Sequence, residues 1–167
     1  RVLAELPGSI VWHAPAGPFT LKARADRVDV SGQGLVITDY KSGANLTALA
    51  ARAGRGEAPQ LLLEAVIANA GGFDKLDAMP VTALRYISAS GGEPPGRVID
   101  VKSDDLAALA ASAKAGLEQL IAAFDDEATP YAAVRRPRFD YDYDAFAHLA
   151  RVAEWSGGGD GEEEGGE

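Results

Sequence analysis

Asp26, Asp39 and Lys41 carry the chemistry-bearing pattern of this chain. They sit in two short runs, Ala23-Arg24-Ala25-Asp26-Arg27-Val28-Asp29 and Ile37-Thr38-Asp39-Tyr40-Lys41-Ser42-Gly43. Both runs read as strands, and Ser31-Gly32-Gln33-Gly34 between them reads as a turn. A hairpin closed there sets Val30 opposite Leu35, Val28 opposite Ile37, Asp26 opposite Asp39 and Arg24 opposite Lys41. Side chains alternate along a strand with period two, so all eight share one face. Facing residues hold their Cβ atoms about 4.5–5.5 Å apart, and like charges so placed destabilise the pair. Two facing carboxylates ask for a cation. Mg²⁺ or Mn²⁺ takes hard oxygen ligands and is commonly held by one or two carboxylates. The expected ligands are Asp26, Asp39 and the backbone carbonyl of Tyr40, with Lys41 pointing toward the same place.

The plain alternative is that these charges are solvated edge residues, as most Asp and Lys are. Two features count against it. The charges end an apolar stripe of Val28, Val30, Leu35 and Ile37, and they come as acid, acid and lysine in one register. A cation held there would polarise a phosphoryl oxygen and acidify a water. Lys41 would steady that water or the charge growing on the phosphate. The spacing thus points to metal-dependent phosphodiester hydrolysis and leaves other phosphate esters open. Gln60 opens an apolar helix after the hairpin and either aims at this site or bonds locally. Glu64, one turn on, is either a solvated acid or a support for the carboxylates.

The elements that must position these residues are legible in outline. Arg1–Leu6 and Ile10–His13 read as short strands, Phe19–Val30 and Leu35–Lys41 as the hairpin. One helical turn is expected within Leu46–Ala53. Pro59 starts a largely apolar, buried helix that Gly71-Gly72 ends. Val81–Ser88 and Arg97–Val101 read as strands. Ser103 is the expected N-cap of a helix running to Asp126, and Asp142 that of a last helix over Tyr143–Trp155. The expected fold is α/β, a mixed sheet flanked by helices.

The bulk numbers exclude several classes. A chain of 167 residues, 47% hydrophobic, suits one domain with a real core. No long apolar run suggests a membrane span, and no secretory leader is seen. Arg1 in place of an initiator methionine suggests a piece of a longer chain. Without cysteine there are no disulfides or thiolate metal sites in this segment. The net charge is −9, and taking away the five acids that close the chain leaves −4. The glycine and acid segment 157–167 reads as a disordered tail, leaving 1–156 as the domain. Two basic clusters, Lys22-Arg24-Arg27 and Arg135-Arg136-Arg138, qualify the mild acidity. No phosphate-binding glycine loop or serine elbow is present.

The runs Ala-Arg-Ala-Asp26-Arg-Val-Asp, Ile-Thr-Asp39-Tyr-Lys41-Ser-Gly and Pro-Gln60-Leu-Leu-Leu-Glu64 together resemble the RecB-type branch of the PD-(D/E)xK nuclease superfamily. That branch shows a G-x-x-D-R-x-D strand, a D-Y-K-[ST]-G strand and a Q-x-x-x-Y helix. Within it, the chain is similar to the carboxy-terminal nuclease domains of the AddB family of bacterial helicase–nuclease subunits. The Tyr86-Ile87-Ser88 strand and the closing Ala-Arg-Val-Ala-Glu-Trp155-Ser add to that likeness. The resemblance implies a restriction-endonuclease-like core, Asp26 and Asp39 as metal ligands, Lys41 as the catalytic lysine and Gln60 as its helical support. It implies cytoplasmic cutting of DNA strands unwound during double-strand-break repair by recombination. The partners would be DNA, an AddA-type helicase subunit and the rest of an AddB-type chain, with no membrane.

Three departures qualify it. Glu64 stands where the helical motif usually has tyrosine. The cysteines that anchor an iron–sulfur cluster in many relatives are missing, so no such cluster is expected. No His or Glu ligand ahead of the first strand is identifiable. The competing reading is therefore a nuclease-like module that binds DNA or scaffolds a repair complex without cutting.

Overall fold

The computed structural model describes residues 1–42, 45–89, 91 and 96–131. Arg1–Asp126 forms one compact unit and Glu127–Glu167 a second. The expected helix over Tyr143–Trp155, the Arg135-Arg136-Arg138 cluster and the tail boundary at 156/157 lie outside the described residues.

Within the first unit the chain runs β1 (Val2–Ala14), β2 (Gly17–Ser31), β3 (Gly34–Lys41), α1 (Leu46–Gly54), α2 (Gln60–Asn69), β4 (Val81–Ser88), β5 (Arg97–Asp100) and α3 (Leu106–Phe124). The strands form one five-stranded sheet in the order β1-β2-β3-β4-β5. β3 and β4 pair in parallel and the other neighbours pair antiparallel. A parallel pair needs a long crossover, and α1 with α2 supplies it.

The two short strands expected at the start are one continuous strand. Pro7-Gly8 does not break it because β1 lies at the sheet edge, where a missing N–H costs no ladder bond. The hairpin closes as its turn residues dictate. Ser31 Oγ accepts from Gln33 N at 3.2 Å and donates to Gly34 O at 3.0 Å. Val30 faces Leu35 and Val28 faces Ile37.

The register beyond that point departs from expectation. The β2–β3 ladder ends at the Arg27–Thr38 pair, and Arg24 pairs with Pro7 of β1 instead of Lys41. The physical cause is a local rotation of β1 and β2 together. Leu6 and Ala25 are a buried pair, and Val28 is buried opposite a partly buried Leu3, although in a regular strand residues three apart point to opposite faces. The switch falls at Glu5, which has φ of 51°, opposite Asp26.

α2 is buried because its girth is apolar. Leu61, Leu62, Ala65, Ile67 and Ala68 are essentially inaccessible, packed with Val28, Leu35, Ile37 and Leu84 of the sheet. Each buried leucine- or isoleucine-sized chain contributes about 1.5–3 kcal/mol. The helix ends in two bonds, Gly71 N to Ala68 O at 3.0 Å and Gly72 N to Ile67 O at 2.8 Å, with Gly71 at φ of 69°. Gly72 is also where the helix end meets β1. Ser9 N donates to Gly72 O at 2.9 Å, and a Cβ on Gly72 would stand 2.6 Å from Ser9 O.

α3 is capped by Asp105, whose carboxylate accepts from Ala108 N at 2.9 Å, while Ser103 Oγ accepts from Asp105 N. The cap therefore falls two residues later than expected. α1 is a full helix with Asn45 as its cap. By length and composition alone α3 is long and apolar enough to cross a membrane. Its abundant alanine gives this result. Lys114 and Glu118 are charged residues within it that pair with each other, and the helix lies against α2, β1 and β4.

Candidate active site

β3 carries the centre of the site. Leu35 and Ile37 anchor the strand in the core, and Asp39 and Lys41 follow on the same face by alternation. The apolar stripe thus runs directly into an acid and a lysine. α2 is packed over that stripe, and its first residue, Gln60, arrives beside them. Asp39 is only 3% exposed.

Lys41 Nζ donates to Asp39 Oδ1 at 3.0 Å and lies 2.9 Å from Asp39 Oδ2 as an ion pair. It also donates to Gln60 Oε1 at 3.3 Å. Gln60 Nε2 donates to Asp39 Oδ1 at 2.7 Å and to Glu64 Oε1 at 3.3 Å. One amide therefore links the lysine, the aspartate and the glutamate. Asp26 joins from β2: its Oδ2 accepts from Tyr40 N at 2.9 Å. That bond replaces a ladder contact where β2 turns away from β3. Asp26 thus stands at the backbone of the residue after Asp39 instead of squarely opposite it.

Glu64 is the residue whose place the sequence left open. It is 3% exposed, so it is not a solvated surface acid. Burial pushes its carboxyl up to about 7, the Gln60 bond opposes this, and the charges of Asp39 and Asp26 add to the rise. Tyr86, opposite Asp39 on β4, is also buried, and burial with the charges of Asp39 and Glu64 raises it to about 12. Sequence reasoning missed Tyr86 as part of this floor. Its signal was the position of Tyr86 in a strand with buried alternation beside Leu84. Tyr40 turns its side chain to the other face, where Arg27 Nη1 approaches its hydroxyl at 3.5 Å. Its carbonyl remains the atom expected of it as a ligand.

The basic cluster near β2 is largely neutralised. Arg24 pairs with Glu5 at 2.9 Å, and Arg27 makes two bonds of 2.8 Å to Asp29. Arg27 is raised, and Asp29 lowered, chiefly by that bond.

The donor set suits a hard divalent ion. Asp39 Oδ2 has the Lys41 ammonium 2.9 Å away as its ion-pair partner, while the buried Glu64 Oε2 has no hydrogen-bond partner among the described residues. A divalent ion would share with Lys41 the compensation of the buried Asp39 charge. Among the described residues no three histidine or acidic side chains are grouped as a cation cage. Mg²⁺ does not need one, since it keeps several waters and commonly takes one or two carboxylates together with substrate phosphate.

The fold is that of a nuclease superfamily. A family model of the PD-(D/E)XK nuclease superfamily matches residues 2–136, and the chain belongs to that superfamily. The five-stranded mixed sheet with flanking helices is the restriction-endonuclease-like core. A search of curated proteins finds no match.

Proposed function

We propose that this chain is a DNA nuclease domain that hydrolyses phosphodiesters with Mg²⁺ or Mn²⁺, of the kind found at the carboxy terminus of AddB-type helicase–nuclease subunits. The observation that carries it is the Asp39–Lys41–Gln60 arrangement, with Asp26 at the adjoining backbone. Asp26, Asp39 and the Tyr40 carbonyl would hold the ion. When bound, the ion supplies charge stabilisation to the phosphoryl group and a more acidic water.

The chain's own groups do the rest. Asp39 is fixed by Gln60 and Lys41, so its ligand geometry is set before substrate arrives. Lys41 offers three N–H donors from a partly exposed ammonium. Two are engaged at Asp39 and Gln60, and a third remains for the attacking water or a phosphate oxygen. As water attacks phosphorus and the P–O bond to the leaving sugar breaks, negative charge grows on the phosphate oxygens beside that ammonium. The buried floor of Tyr86, Leu84 and Ile37 keeps water from one side of the carboxylates.

Several features support the wider setting. The three-part motif and the superfamily match favour DNA as substrate, single strands from an unwound duplex in particular. The likeness to AddB-type domains favours an AddA-type helicase partner, the remainder of an AddB-type chain, and a cytoplasmic role in recombination repair. The test is cleavage of single- and double-stranded DNA with Mg²⁺ by the whole chain beside Asp39→Ala and Lys41→Ala, repeated in complex with its helicase partner. Cutting that both substitutions abolish is the expected result. Cutting that neither changes, or no cutting even in the complex, would leave the DNA-binding scaffold as the function.

A further inference from the structure

We infer that Glu64 is a positioning residue that acts through Gln60 on Asp39 and Lys41, an inference that rests on the nuclease reading above. The argument begins with the amide of Gln60, which has an acceptor end and a donor end. Lys41 can only donate, so the oxygen end must face it. An ionised Asp39 can only accept, so the nitrogen end must face Asp39. That leaves one N–H of the same nitrogen, and it goes to Glu64 Oε1 at 3.3 Å. Glu64 thereby occupies the last donor and closes the amide's coordination.

Gln60 is exposed at the first turn of α2, so the acceptor at position 64 fixes an N–H that solvent would otherwise leave free to turn. Without that acceptor the amide turns toward solvent at little cost. Asp39 Oδ1 would lose its shortest bond, 2.7 Å, and Lys41 would lose the acceptor that draws it toward Gln60. Helical geometry makes the contact possible, because residues four apart are neighbours on one helix face. The core holds Glu64 in place, since the residue is 3% exposed between Leu61, Ala65 and Ala68 of the same helix. Its remaining oxygen, Oε2, has no hydrogen-bond donor among the described residues. A carboxylate kept at that cost has a role beyond packing, and the hydrogen bond it makes is to Gln60.

The test compares Glu64→Leu, which removes the acceptor, with Glu64→Gln, which keeps an oxygen in the same place. Each is made in the native chain and in a Gln60→Ala background. Glu64→Leu is expected to lower kcat by about ten- to a hundredfold with KM for DNA unchanged. Glu64→Gln should recover most of that loss. In the Gln60→Ala background Glu64→Leu should cost nothing further, because the route it acts through is already gone. Independently of activity, the side-chain amide protons of Gln60 are followed by NMR in the ¹⁵N-labelled protein. They should be well resolved and slow to exchange in the native chain and in Glu64→Gln, and averaged and fast in Glu64→Leu.

Equal losses in both backgrounds, a Glu64→Gln as poor as Glu64→Leu, or Gln60 signals untouched by Glu64→Leu would overturn the inference. A native chain that cuts no DNA would instead sink the nuclease reading, and the NMR comparison would still decide the Glu64–Gln60 relationship.

Discussion

Gln60 Nε2 stands 2.7 Å from Asp39 Oδ1, 21 positions earlier in the chain. The first residue of α2 thus holds the acid at the end of β3. The bond exists because the apolar girth of α2 is pressed onto the apolar stripe of β3, and both elements turn polar at the same end. The core therefore sets the site, and changes at the site feed back on stability.

Asp39→Asn keeps the shape of the side chain and its acceptor for Gln60, and removes the charge. Mn²⁺ affinity, measured by calorimetry, should fall at least tenfold. DNA cleavage should fall by about a hundredfold or more. Unchanged Mn²⁺ affinity would take Asp39 out of the ligand set.

Lys41→Met leaves the buried Asp39 without its neutralising ammonium. The metal-free protein should lose about 1–3 kcal/mol of stability in urea unfolding. Mg²⁺ should then stabilise this variant more than the native chain, since the ion and the lysine compensate the same carboxylate. A smaller Mg²⁺ effect in the variant would show that the ion sits elsewhere.

Glu64 makes the metal-free protein sensitive to pH in a definite direction. Its carboxyl ionises near 4.5 when unfolded and near 7 when folded. The folded state thus favours the neutral form. The contribution is fully present below pH 4.5 and is lost as pH rises through 7. Glu64→Gln has no such group, so its stability relative to the native chain should rise across that window by up to about 3 kcal/mol. Parallel unfolding curves of the two proteins, measured with chelator between pH 4.5 and 7.5, check this; a constant difference would contradict it.

Gly72→Ala places a methyl group 2.6 Å from the Ser9 carbonyl oxygen and 2.7 Å from Ile10. One obstacle is backbone, so the strand must move. The cost should be about 1–3 kcal/mol, read as a lower Tm. Gly32→Ala, with nothing within 4 Å of the added carbon, should stay within about 0.5 kcal/mol.

The sequence by itself determined the α/β class, β4 at its full length, the hairpin from Val28 to Ile37 and the buried helix that starts at Gln60. Each rests on local chemistry: period-two alternation, a serine–glycine turn, proline before and paired glycines after an apolar run. It also singled out Asp26, Asp39, Lys41 and Gln60, because acid, acid and lysine at the end of an apolar stripe is a pattern visible in one dimension. Tertiary structure alone decided how they meet. The rotation at Glu5 and Asp26 depends on the pairing of β1 with β2, so spacing within the hairpin could not show it. Asp26 consequently bonds the Tyr40 backbone, and Arg24 turns to Glu5. The burial of Glu64 was likewise hidden, since a lone acid in an apolar helix reads as solvated until the sheet covers that face. Helix spacing put it beside Gln60, and packing buried it there.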